Sequence, residues 1–149
     1  MCAAVNSSRI TPFLWFDNNA DEAVDFYLSV FPNSLRHDAG QKATGKRVQT
    51  VSFELDGQAF IALNGGPAFR FNEAVSFAVR CETQSEIDHF WKVLCAGGSE
   101  GQCGWLKDRF GLSWQVVPSN LGALLSTQTA INAMLGMRKL DIAALEQAR

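Results

Sequence analysis

The sequence predicts an α+β fold of two tandem βαβββ modules forming an incomplete barrel, followed by a C-terminal helical tail. Three observations carry this expectation. Val24, Tyr27, Leu28 and Phe31 recur at i, i+3, i+4 and i+7, the spacing of a helix with one apolar face. Ile87, Phe90, Trp91 and Leu94 repeat the stripe 63 residues later, and Val24-Asp25 returns as Ile87-Asp88. Each stripe follows one strand-like run and precedes a pair of them. A duplicated unit fixes the fold before any single element does. Two such modules side by side bend their sheets around a concavity. The expected limits are about 9–66 and 73–118 for the modules and 119–149 for the tail, within one domain.

The first strand is expected over residues 10–16, where Pro12, lacking an N–H for the ladder, suits a sheet edge or an early bulge. Asn19, three residues before Glu22, reads as a capped helix start, and Pro32-Asn33 ends that helix. Residues 34–45 are polar and glycine-containing, which reads as a loop. Alternation over 48–55, the Asp56-Gly57 pair and the return run 58–63 predict a tight hairpin. Segment 64–72 carries Phe69 and Phe71, too apolar for an idle surface turn. Residues 75–80 open the second copy, Thr83 and Glu86 form a capping box, and Gly97-Gly98 end its helix. Residues 103–107 and 112–117 are its closing strands. Asp108-Arg109-Phe110-Gly111 supplies the turn between them, Asp bonding its own backbone and Gly taking a positive φ. Pro118 stops the last strand. Beyond it, Ile131, Met134, Leu135 and Arg138 form a weak helical stripe, and Asp141 caps a final helix over 142–148.

Composition narrows the function. With 47% apolar and 19% charged residues, the chain is an ordinary globular one. Its net charge of −2 and lack of any Lys/Arg cluster argue against nucleic acid and acidic membrane surfaces as partners. No apolar run approaches the ~20 residues of a bilayer span. Met1-Cys-Ala-Ala-Val-Asn-Ser-Ser8 has neither the basic flank nor the apolar core of a signal peptide. Cys2, Cys81, Cys95 and Cys103 show no C-x-x-C spacing and read as free thiols in a reducing cytoplasm.

Residues able to carry chemistry are few, and no catalytic residue emerges. Cys103 has only Lys107 as a nearby cation, so it reads as packing first and as a functional thiol second; Cys81 and Cys95 have weaker cases. His37 falls in the polar loop and His89 sits off its helix stripe, so no Ser-His or Cys-His pair is formed. Asp108 suits an Asx-type turn better than catalysis. The closing hairpin holds Trp105 and Trp114, more aromatic area than a surface hairpin needs. They, with Phe71, Asn64, Asn72, Cys103 and Gln115, are the expected ligand contacts. Asn64-Gly-Gly-Pro67 runs into a proline and not into a helix, so it is no dinucleotide turn.

Ile10-Thr-Pro-Phe-Leu-Trp-Phe-Asp17, Ala23-Val-Asp-Phe-Tyr27 and Ala62-Leu-Asn-Gly-Gly-Pro67 resemble the PhnB-like branch of the vicinal oxygen chelate superfamily, with its glyoxalase and bleomycin-resistance folds. Phe71-Asn-Glu73, Cys81-Glu-Thr83, 97–108, Phe110-Gly-Leu-Ser-Trp-Gln115 and Lys139-Leu-Asp-Ile-Ala-Ala-Leu145 extend the resemblance to nearly the whole chain. Many members carry the label 3-demethylubiquinone-9 3-methyltransferase. The resemblance implies a divalent metal held by a His or Gln on the first strand and a Glu on the last strand of each module. This chain offers only Thr11, Pro12 or Phe13, then Ala62 or Asn64, then Val75 or Ser76, and finally Gln115. One amide does not hold a divalent ion, so no metal and no cofactor is expected. The expected function is binding of an unknown small molecule. The alternatives are a metal-assisted lyase, isomerase or dioxygenase and, with less support, the methyltransferase of the label. A homodimer is expected, because open sheet edges and an apolar tail need covering and relatives of this fold usually pair.

Overall fold

The computed structural model describes residues 8–37 and 49–149. The strand start at Val48, the 38–45 part of the expected loop, Cys2 and the stretch before Ser8 lie outside the described residues. The chain divides into two compact units, Met1–Arg70 and Phe71–Arg149.

The first unit runs β1 (Phe13–Phe16), α1 (Ala20–Val30), β2 (Leu35–Arg36), β3 (Gln49–Leu55) and β4 (Gln58–Asn64). Its open sheet has the order β1-β4-β3-β2, with β1 parallel to β4 and the other pairs antiparallel. Alternation decides its faces: Leu14, Phe16, Val51, Phe53, Leu55, Phe60 and Ala62 are buried, and α1 packs on β3 and β4 with Ala23, Val24, Tyr27 and Val30 buried. Asp56 (φ 47°) and Gly57 (φ 82°) make the expected tight turn. Pro12 lies at the sheet edge, its carbonyl accepting from Ile61 N.

The second unit repeats this plan as β5 (Ser76–Cys81), α2 (Gln84–Cys95), β6 (Ser99–Glu100), β7 (Trp105–Lys107) and β8 (Ser113–Pro118), in sheet order β5-β8-β7-β6. β5 is parallel to β8, and the register Phe13↔Ile61 of the first sheet reappears as Ser76↔Ser113. The architecture is therefore α+β with two βαβββ units.

Local departures from the expected elements have physical causes. β1 is shorter than expected, beginning at Phe13. The two-residue strands β2 and β6 carry too little pattern to be read from sequence. β7 begins at Trp105 and not at Cys103, because Cys103 (φ 59°) and Gly104 (φ 83°) turn the chain left-handed and Trp105 N closes that turn on Gln102 O. Asn19 makes no side-chain cap; Asn64 Oδ1, at the end of β4, accepts from Ala20 N instead. Thr83 caps α2 as expected, accepting from Glu86 N, while Glu86 reaches back to Glu82 N.

The tail forms α3 (Leu121–Leu124), α4 (Gln128–Leu135) and α5 (Ile142–Gln147), with Asp141 capping α5 through Ala144 N. It folds back on the second unit, with Leu124, Leu140 and Leu145 fully buried. No described helix is long and apolar enough to cross a membrane.

Candidate functional site

The strand register of the second sheet sorts its side chains into two faces. Phe77, Trp114 and Leu106 are in register and share the face packed by α2, where Val116 and Cys81 are also buried. Successive side chains alternate, so Ser76, Ala78, Ser113, Gln115, Trp105 and Lys107 share the opposite face. Here Trp105 lies directly across from Gln115, and both are half-buried. Gln115 Nε2 donates to Ser76 Oγ at 3.0 Å, the diagonal reach between neighbouring strands. Ser113, in register with both Ser76 and Lys107, is fully buried, and its Oγ has no hydrogen-bond partner among the described residues. An unsatisfied buried hydroxyl costs about 1–3 kcal/mol, so a ligand atom or water completing it would be favoured. At the end of this face the Lys107 ammonium hydrogen-bonds the Glu73 carboxylate and holds it below its ordinary pKa.

On the matching face of the first sheet β1 and β4 present apolar side chains, while β3 brings Thr50, Ser52 and Glu54. By register, Phe13↔Ile61 and Trp15↔Leu63 stand where the second sheet has Ser76↔Ser113 and Ala78↔Gln115. The counterpart of Gln115 is thus Leu63, not Ala62 or Asn64, which point to the α1 face. The metal positions implied by the sequence resemblance hold Phe13, Leu63, Ser76 and Gln115. Two neutral donors already bonded to each other do not fit the convergent O and N set of a divalent ion. Among the described residues, no three of His, Cys, Asp and Glu gather for a metal.

The other expected contact residues are placed as follows. Asn64 caps α1, and Trp114 is buried on the α2 face, donating its indole N–H to Asp108 Oδ2 at 2.9 Å. Neither shares a face with Trp105 and Gln115. Asn72 is exposed and accepts from Ala74 N; Phe71 is half-buried. Cys103 sits in the left-handed turn just before Trp105. Asp108 is the Asx-type turn residue that was expected, its Oδ1 accepting from Phe110 N and Leu112 N. The glycine pair also has a packing cause: a side chain at Gly65 would collide with the Trp15 ring, whose N–H binds Gly66 O at 2.9 Å. Sequence reasoning missed Ser113 and the Lys107–Glu73 pair. The period-two alternation Ser113-x-Gln115 was the available signal for the first, and nothing local marked the second.

Burial, reinforced by Glu86 and Glu82, pushes the Cys81 thiol up to about 11, and burial with Glu100 does the same for Cys95. Both folded values lie above the ordinary 9.0, so the native state is fully favoured below pH 9 and loses that advantage as pH rises towards 11. At pH 8, iodoacetamide should therefore modify both residues far more slowly in native than in urea-unfolded protein, read by peptide mass spectrometry. Equal rates would remove the case that the fold shields these thiols.

Comparison with known proteins agrees with the fold. Residues 8–117 match the family model described as 3-demethylubiquinone-9 3-methyltransferase. The PhnB protein from Bacillus cereus is 32% identical over 75% of this chain and all of its own, with a TM-score of 0.64. Protein PA1353 from Pseudomonas aeruginosa shares 22% identity, 75% of this chain and 98% of its own, at TM-score 0.59. The fosfomycin resistance protein FosX from Mesorhizobium loti is 11% identical over 79% of this chain and 96% of its own, also at 0.59, a likeness of fold alone. Among curated proteins, none matches the chain.

Proposed function

From the premise that the chain belongs to the PhnB-like, 3-demethylubiquinone-9 3-methyltransferase family of the vicinal oxygen chelate superfamily, we propose that it is a cytoplasmic small-molecule-binding protein working without the superfamily's metal. One observation carries the reading. Trp105, Gln115, Ser76 and the Ser113 hydroxyl, which has no hydrogen-bond partner among the described residues, share one sheet face, combining an aromatic platform with neutral hydrogen-bonding groups. Such a face favours an uncharged organic molecule with a flat apolar part and a hydrogen-bonding edge. It offers no nucleophile pair and no cluster of acids for metal-assisted chemistry.

The test is a thermal-stabilisation screen of metabolites and antibiotics, S-adenosylmethionine included, followed by calorimetry on the hits. A ligand at 100 times its Kd stabilises the native state by about 2.7 kcal/mol. Gln115→Ala should then weaken the hit roughly tenfold, the loss of one hydrogen bond, and Trp105→Phe should weaken it further than it lowers stability. Parent-like binding by both variants would move the site elsewhere. Low-micromolar binding of S-adenosylmethionine would favour the methyltransferase reading, and a stoichiometric, tightly held divalent ion would favour the enzyme.

The working form proposed is a homodimer. Both sheets are open-edged, and Ile10, Phe13, Leu35, Val75 and Leu135 are exposed large apolar residues. Light scattering at tens of micromolar should give twice the chain's 16.3 kDa; a monomer there would end this proposal.

A further inference from the structure

The family model matches residues 8–117, and the tail follows modules already complete in βαβββ. Its polar contacts converge on one place. Cys103 N donates to Met137 O at 2.8 Å and Gly104 N to Arg138 O at 2.7 Å, so the tail satisfies both amides of the left-handed turn that leads into Trp105. Leu140, fully buried, lies against Gly104, where an added Cβ would stand 3.1 Å from Leu140 Cγ and 2.8 Å from Val116 O. On its far side, Gly104 O accepts from Val116 N of β8. Gln84, on the first turn of α2, grips the tail backbone at two points: its Nε2 donates to Leu140 O at 3.0 Å and its Oε1 accepts from Ile142 N at 2.9 Å. An amide side chain that both donates to and accepts from an extended segment fixes it in one register.

We propose that the segment 137–142 is a clamp for the ligand face, with Gln84 and Leu140 as positioning residues that hold the turn at 102–105 and thereby set where Trp105 stands. The clamp rests on the reading of the Trp105 face as the ligand site. It explains why a tail outside the family match spends backbone carbonyls on this turn, and why a non-glycine residue, Cys103, is held at φ 59°. The Met137 and Arg138 carbonyls of the tail are among the bonds that hold that residue and Gly104 in place.

The experiment uses the full chain without ligand, so its failure is distinguishable from failure of the binding proposal. Indole and amide resonances of ¹⁵N-labelled parent, Gln84→Ala, Leu140→Ala and Gln128→Ala would be compared, with hydrogen exchange at Gly104. In Gln84→Ala and Leu140→Ala the Trp105 indole resonance should move and Gly104 should exchange roughly tenfold faster or more. Trp15 and Trp114 indole resonances should stay at parent positions, reporting intact cores in both units. Gln128→Ala, which removes an exposed hydrogen bond to Asn132 within α4, away from the 137–142 segment, should match the parent. An unmoved Trp105 resonance and unchanged Gly104 exchange in Gln84→Ala would overturn the clamp. So would a shift of Trp15, Trp114 and Trp105 together, which would mark the tail as general stabilisation. If Leu140→Ala does not fold, Gln84→Ala decides alone.

Discussion

Asp108→Ala should cost about 4 kcal/mol, because it strands several buried donors at once. The Asp108 carboxylate is 2% exposed and accepts from Phe110 N at 2.8 Å, Leu112 N at 3.1 Å and Trp114 Nε1 at 2.9 Å. The backbone bonds Asp108 N→Leu112 O and Gly111 N→Asp108 O close the same turn, so the side chain and main chain fix β7 and β8 together. Alanine takes the carboxylate from all three N–H groups, and at the buried Leu112 and Trp114 donors water cannot replace it fully. Asp108→Asn keeps one acceptor oxygen for the two backbone amides but points an NH₂ at the Trp114 indole, so about half the loss is expected. Urea unfolding measures both, as a lowered midpoint at unchanged slope. A loss below about 1 kcal/mol for Asp108→Ala would show that the turn does not depend on its carboxylate.

Gly104→Ala should cost about 3 kcal/mol, and Gly111→Ala only about 1 kcal/mol. Both glycines are left-handed, at φ 83° and φ 86°, so both variants bear the same conformational penalty. They differ in surroundings. Nothing lies within 4 Å of a Cβ at Gly111, whereas at Gly104 it meets Val116 O at 2.8 Å and Leu140 at 3.1–3.2 Å. The oxygen belongs to the backbone of β8, an interior strand, and cannot swing aside, so the 102–105 turn or the tail must shift. The difference between the two variants isolates the packing contribution from the left-handed strain. Equal losses in thermal or urea unfolding would mean that the 102–105 turn relaxes freely.

Much of the fold was legible in the sequence. The duplicated stripe, the Asp56-Gly57 turn, the Thr83 cap, the Asp141 cap and the Asx role of Asp108 all rest on neighbours within a few residues. Such contacts are encoded locally and can be read locally. Asn64 shows where this stops. In sequence it is a polar residue after a strand, a reasonable ligand contact; in the structure it caps a helix 44 residues away. Trp114 likewise read as a pocket wall, and its register with Leu106 and Phe77 puts it on the α2 face instead.

The sequence by itself determined the duplicated helix and hairpin on which the two βαβββ units are built, because hydrophobic period and turn chemistry are properties of short segments. It also determined the family, and it nominated Trp105 and Gln115. Which side chains share a face was decided only by tertiary structure. A shift of one residue in strand register reverses every side chain, and register is set by pairing between strands far apart in the chain. That pairing brought Ser76 and Ser113 to Gln115 and put Phe13 and Leu63 at the matching positions of the first sheet. It also set the closing turn against the tail, through hydrogen bonds between backbone groups that carry no residue signature.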